Sequence, residues 1–275
     1  MTDAILKAAQ NTADAAPLVH SITNNVTIND CANIILAAGG TAIMAQDERE
    51  VEEITAHSDA LVLNMGALRA QEAMLLAARE AKRLGHPVVL DPVAAGASRL
   101  RSEMCSRLLA DGLVSVIRGN ASEIRALAAG EEQASGVEAN AIDRVTEQNL
   151  TESTEWLAEF SRKTGTVVML TGKIDLITDG NRTAVLRGGS ELMSRITGAG
   201  CMLTSLTAAY CGANPNTLFE AVAAASGVMK VCGTLAERRV REEMEGTASF
   251  RTRLIDAVSL LTAEQLAEGL RIQLL

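Results

Sequence analysis

Short apolar runs alternate along this chain with longer amphipathic stretches. Residues 42–44, 61–63, 88–90, 114–117 and 167–170 are apolar almost without interruption, the pattern of parallel strands covered on both faces. Between them the period lengthens. Over residues 71–84, Met74, Ala77, Ala78, Ala81 and Leu84 share one helical face, and Gly85-His86-Pro87 stops the helix. Residues 1–16 read as a further amphipathic helix. Strand and helix in this alternation predict an α/β layer fold with a mostly parallel central sheet. After Leu170 the pattern changes. Residues 175–178 and 183–186 flank Asp179-Gly180-Asn181-Arg182 and predict a small antiparallel hairpin. From Gly200 onward the chain reads as nearly all helix, broken at Gly212-Ala213-Asn214-Pro215 and around Gly246. Residues 129–142, rich in Gly, Glu and Ala, read as a loop. With no linker and no internal repeat, residues 1–275 are expected to form one domain.

Composition narrows the function classes. The chain has 275 residues, enough for one large core, with 48% hydrophobic residues and a net charge of −9. No block of lysines or arginines supplies an electrostatic footprint for nucleic acid. Aromatic residues make up only 2%, which removes the stacking platform of a single-strand binder. No run approaches the ~20 uninterrupted apolar residues of a membrane span, and the acidic start is unlike a signal peptide. A cytoplasmic protein without membrane or nucleic-acid partners is expected. The five cysteines, at 31, 105, 201, 211 and 232, have no paired spacing and read as reduced thiols.

The strand ends carry the chemistry. Asn64, Asp91, Arg118 and Thr171 each follow an apolar run. In open α/β sheets, ligands bind outside the carboxyl ends of the strands. An amide, a carboxylate, a guanidinium and a hydroxyl on one edge form a set suited to a charged ligand. Asp91 and Glu123, the latter in Arg118-Gly119-Asn120-Ala121-Ser122-Glu123, could serve Mg2+, which takes few protein ligands. The plainer role of Glu123 is helix capping with Asn120. Arg118 suits phosphate oxygens through its fixed fork of donors.

Thr197-Gly198-Ala199-Gly200-Cys201 opens a long apolar helix. Small residues permit close approach to the backbone, and unpaired N–H groups at a helix start favour an oxyanion. A cysteine in the first turn is expected to lean towards thiolate. Competing motifs fail. Thr171-Gly172-Lys173-Ile174 lacks the upstream glycine and the Ser/Thr of a phosphate-binding loop, and residues 198–203 lack the third glycine of a dinucleotide fingerprint. There is no Gly-x-Ser-x-Gly elbow, and His20, His57 and His86 have no ligand spacing.

Taken in order, Leu18-Val19-His20-Ser21-Ile22-Thr23-Asn24-Asn25-Val26, Met44, Leu61-Val62-Leu63-Asn64-Met65-Gly66, Leu90-Asp91-Pro92-Val93, the Arg118–Glu123 block and Thr197–Cys201 resemble the hydroxyethylthiazole kinase family of the ribokinase-like superfamily. Most ribokinase-like kinases end the Gly-rich turn in aspartate, and Cys201 is the letter that distinguishes the thiazole kinases. The resemblance implies a ribokinase-like three-layer sandwich. It also implies ATP-dependent, Mg2+-dependent phosphorylation of a thiazole alcohol in thiamine biosynthesis, by a homotrimer with active sites at subunit boundaries. Carried over by motif, Met44, Gly198 and Asn25 would bind the thiazole, and Arg118 and Thr171 would bind ATP. Asp91 and Glu123 would organise the metal. Gly198, Ala199, Gly200 and Cys201 would form the catalytic turn. Rival readings are a kinase for a pyrimidine alcohol and a non-catalytic nucleotide-binding protein. Two departures from the family pattern bear on loop geometry: Ala94 after Asp91-Pro92-Val93, and Thr247-Ala248-Ser249-Phe250 in place of a Gly-Pro-rich turn.

Overall fold

The computed structural model describes residues 1–130 and 144–275. Most of the expected loop over residues 129–142 therefore lies outside the described residues.

Nine strands form one sheet in the order β2-β1-β3-β4-β5-β6-β7-β8-β9. They are β1 (Leu18–Ile22), β2 (Thr41–Ile43), β3 (Ala60–Asn64), β4 (Val88–Asp91), β5 (Val116–Asn120), β6 (Val167–Thr171), β7 (Asp175–Thr178), β8 (Thr183–Arg187) and β9 (Arg271–Leu274). Strands β2 to β6 pair in parallel, and β6 to β9 are antiparallel. The predicted hairpin is β7–β8.

Side chains alternate between two cores. Ala60 and Val62 of β3 face one side with Val89 and Val116. There they meet α1 (Thr2–Ala15), α2 (Ile28–Ala37), α8 (Ala199–Ala213), α9 (Leu218–Glu242) and α10 (Thr247–Ser259). Leu61 and Leu63 face the other side with Leu90 and Ile117, against α3 (Val51–Ala56), α4 (Gln71–Leu84), α5 (Arg99–Ala110), α6 (Ala121–Ala129) and α7 (Leu150–Thr164). Helix, sheet and helix make the three layers of a ribokinase-like sandwich. Both strand faces are covered, which explains the unbroken apolar runs. Helix α9 is long and apolar enough to cross a bilayer, but 78% of its most apolar window is buried in the fold.

Three expectations are corrected. β1 is absent from the expected strands; His20 and Ser21 interrupt its apolar run, yet both are fully buried. The His20 ring is satisfied by the Thr55 hydroxyl at 2.8 Å and the Ala45 carbonyl at 3.0 Å. β5 starts two residues later than the apolar run at 114–117, so Arg118 sits within the strand. The C-terminal region is not all helix: after α11 (Ala263–Gly269) the alternating Arg271-Ile272-Gln273-Leu274 pairs with the free edge of β8. That edge needs a partner, and a half-exposed strand alternates rather than running apolar.

The two departures are also resolved. Ala94 adopts φ 57°, the left-handed region in which glycine is at ease. Thr247-Ala248-Ser249-Phe250 is the first turn of α10, with Phe250 fully buried.

Candidate active site

Parallel pairing sets the carboxyl ends of β1 to β6 along one edge. Asn64 and Asp91 are register partners, as are Asn120 and Thr171. Helix α8 begins above this edge at Gly198, whose φ of 88° requires glycine. A Cβ there would also stand 2.8 Å from the Thr27 methyl group. No side chain caps α8, so its first N–H groups remain for a ligand. The Arg118 guanidinium lies across this start, its Nη2 donating to Thr171 Oγ1 at 2.7 Å. Thr171 Oγ1 in turn donates to the Gly119 carbonyl at 3.2 Å. Arg118 Nε is buried with no protein partner.

Cys201 is partly buried in the first turn of α8, where its sulfur accepts two amide N–H groups. Asn64 Nδ2 lies at 3.3 Å and Asn24 Nδ2 at 3.5 Å. Asn24 is itself fixed, since its Oδ1 accepts the backbone N–H groups of Val26 and Thr27 at 3.0 and 3.2 Å. The expected lean towards thiolate is overturned. Burial, reinforced by the Asp91 charge, pushes the Cys201 thiol above its ordinary value, and the donors from Thr27, Asn64 and Asn24 only partly offset this. Desolvation is the largest of these causes.

Asp91 is 1% exposed. Its Oδ2 accepts from Asn64 Nδ2 at 3.0 Å and Thr204 Oγ1 at 2.9 Å, whereas Oδ1 is buried with no protein partner. Burial pushes this carboxyl up to about 6, Arg118 pulls it down, and Glu123 adds to the rise. Glu123 and Asn120 form a capping box on α6, so the plainer role is realised. Glu123 Oε2 accepts the Asn120 N–H at 2.9 Å and Oε1 the Ala94 N–H at 3.1 Å. Each carboxylate oxygen keeps a second lone pair. The bare Asp91 oxygen, with a second carboxylate close enough to raise its proton affinity, fits a divalent cation that is bound largely through water. Among the described residues, no group of three or more His, Cys, Asp or Glu side chains converges.

The remaining expected residues divide. Met44 follows β2 at the same sheet edge, half-buried. Asn25 is exposed, and it is its neighbour Asn24 that reaches the sulfur. Asn24 and Thr204 were not singled out by sequence reasoning. The signal for Asn24 was its place in the same motif, and for Thr204 its place one helical turn after Gly200.

A sequence profile of the hydroxyethylthiazole kinase family matches residues 9–264. Over 264 residues the chain is 44% identical to a hydroxyethylthiazole kinase of Clostridium acetobutylicum, covering 95% of this chain and 96% of the relative. It is 38% identical over 268 residues to one from Methanobrevibacter smithii, covering 94% and 92%. The solved structure of a hydroxyethylthiazole kinase protein from Pyrococcus horikoshii matches with a TM-score of 0.85 at 32% identity, covering 98% of each chain. A Staphylococcus aureus pyridoxal kinase solved with pyridoxal shares the fold at a TM-score of 0.56 and 18% identity, covering 78% of this chain and 86% of that one.

Proposed function

Because the chain belongs to the hydroxyethylthiazole kinase family, we propose that it transfers a phosphoryl group from ATP to the hydroxyl of hydroxyethylthiazole, a step of thiamine biosynthesis. The observation that carries this reading is the Arg118 guanidinium over the uncapped start of α8, with Cys201 in the same helical turn.

Phosphoryl transfer needs alignment and charge neutralisation more than covalent chemistry. The N–H groups of Ala199, Gly200 and Cys201 hold charge that develops on the transferred group, and Gly198 supplies the backbone turn that aims them. Arg118 and Thr171 hold the phosphate oxygens of ATP. On the opposite side, Met44 and Gly198 contact the thiazole, with Asn25 on the same side. Cys201, held as a neutral thiol by its surroundings, positions the alcohol rather than taking its proton. Asp91 and Glu123 would hold Mg2+, which when bound neutralises phosphate charge.

The same proposal covers organisation. Residues 1–275 form a single kinase domain that works in the cytoplasm, and three copies assemble with sites at their boundaries.

The test is ATP consumption across thiazole and pyrimidine alcohols, with light scattering for mass. Turnover greatest with hydroxyethylthiazole, by a trimer, is expected. Preference for a pyrimidine alcohol would overturn the substrate, and ATP binding without turnover on any alcohol would overturn catalysis.

A further inference from the structure

Lys230, on α9, belongs to none of the groups assigned above. Its side chain is 8% exposed and its Nζ lies 3.2 Å from Asp175 Oδ1, on a side chain 5% exposed. The carbonyl oxygens of Gly172, Lys173 and Gly188 each lie 3.4 Å from the same nitrogen. An ammonium has three hydrogens. Four oxygens at these distances form an electrostatic cage around a point charge rather than a set of short directed bonds. Asp175 is tied on both oxygens, since Oδ1 also accepts the Gly172 N–H at 2.9 Å and Oδ2 the Ser226 hydroxyl at 2.8 Å. The cage therefore grips Gly172 and Lys173, the two residues that follow Thr171.

We infer that Lys230 is a tethered monovalent cation that fixes the Gly172-Lys173 turn and thereby places Thr171, and through it Arg118, against the nucleotide. It is a positioning residue, and the inference rests on the assignment of Thr171 and Arg118 to ATP. Without the ammonium, three carbonyl oxygens and a carboxylate would face one another across a buried space, and the turn would relax. A buried ion pair serving stability alone would lower the stability of the fold when broken, with no loss that falls on ATP selectively. A tethered cation makes two narrower demands: the loss falls on ATP, and a free cation of similar size repairs it.

The experiment compares Lys230→Ala with the parent in buffers whose only added cation is choline, then titrates potassium or methylammonium. Expected is a KM for ATP raised roughly tenfold, the scale of one lost charged hydrogen bond, with the KM for the alcohol unchanged and ATP affinity restored by either small cation. An unchanged KM for ATP, an equal rise for both substrates, or a rise that neither cation reverses overturns the inference. Circular dichroism checks folding. If Lys230→Ala does not fold, Lys230→Gln combined with Asp175→Asn removes both charges and is measured for the same ATP-selective rise, and failure of that variant to fold makes the pair a stability element and ends the inference. Thr171→Ala separates the two readings. If it leaves the KM for ATP unchanged, the ATP assignment has failed; if it raises that KM while Lys230→Ala does not, only the role of Lys230 has failed.

Discussion

A methyl group placed on Gly200 would stand 2.5 Å from Arg118 Nη1. The guanidinium thus rests directly on the helix start, and the missing side chain at residue 200 is what makes room for it. Gly200→Ala must push Arg118 aside, so kcat/KM for ATP is expected to fall by two or more orders of magnitude while the fold persists. Arg118→Lys keeps the charge but loses the fork that reaches Thr171, and it should weaken ATP use more than alcohol use. Steady-state kinetics with each substrate varied in turn decide the matter. Equal losses for both substrates would remove Arg118 from the triphosphate.

Asp91→Asn should separate stability from function. The asparagine oxygen can keep the bonds from Asn64 and Thr204, and the buried charge disappears. A carboxyl raised from 3.8 to about 6 corresponds to a folded-state penalty of up to about 3 kcal/mol above that pH, at ~1.4 kcal/mol per unit. The metal-free variant should therefore resist urea better than the parent at pH 8, yet turn over far more slowly and need more magnesium. Glu123→Gln should shift the magnesium titration in the same direction. Magnesium titrations unchanged in both variants would take these carboxylates out of the metal site.

Cys201→Ala should fold and keep measurable activity, because the backbone N–H groups remain. General-base assistance is worth ~10²–10⁴-fold, so a loss of that size would return the sulfur to the role of proton acceptor. Cys201→Ser should resemble alanine or exceed it. Cys201→Asp offers a carboxylate to the Asn24 and Asn64 donors and should remain active, and its added charge beside Asp91 should lower the magnesium requirement. An inactive, folded aspartate variant beside an active alanine variant would show that residue 201 does not face the alcohol.

Ala94→Gly should be neutral to stabilising by up to about 1.5 kcal/mol. It removes a left-handed alanine, at ~1–2 kcal/mol, against the greater freedom of glycine in the unfolded chain, ~0.5–1 kcal/mol. A loss in the urea midpoint would mean that the methyl group contributes packing worth more than the strain.

His20 gives a pH dependence. Burial is the main cause holding its imidazole below the ordinary value, only partly opposed by the Ala45 carbonyl. Above about pH 6.5 it is neutral in both folded and unfolded chains and contributes no slope. As pH falls through that value the unfolded chain takes up the proton first, so stability is lost on acidification. Asp91 works in the opposite sense over the same interval, which is why the comparison must be with a variant. His20→Gln should lose less stability than the parent between pH 7 and pH 5 in urea denaturation. Parallel losses would acquit the histidine.

The sheet was largely legible because most of its strands are covered on both faces and read as unbroken apolar runs. β1 and β9 were hidden for opposite reasons. β1 is buried but carries His20 and Ser21, and the hydrogen bonds with the Thr55 hydroxyl and the Ala45 carbonyl that satisfy the histidine join distant segments. β9 is an edge whose alternation is too short to stand out beside the helices before it. At the site, Arg118 lies within β5, whereas strand-end position was enough to bring Asn64, Asp91 and Thr171 to one sheet edge. It could not reveal that Asn24, rather than Asn25, turns inward, because adjacent residues in a turn differ only in backbone direction. Cys201 was correctly placed in the first helical turn, yet its ionisation depends on burial and on Asp91, and neither is written in the residues around it.

The bonds that surround Cys201 and Asp91 join residues 113, 137 and 177 positions apart. Loops of that length must close before any of these bonds can reward the closure, so the centre is a late and slow product of folding. During synthesis the ends of β1, β3 and β4 emerge well before α8 exists to cover them, leaving Asn64 and Asp91 open to water until the last third of the chain docks. Recovery of ATP turnover after dilution from denaturant should follow the slowest phase and lag behind the return of helical signal. Turnover that returns together with the first helical signal would contradict this order of events.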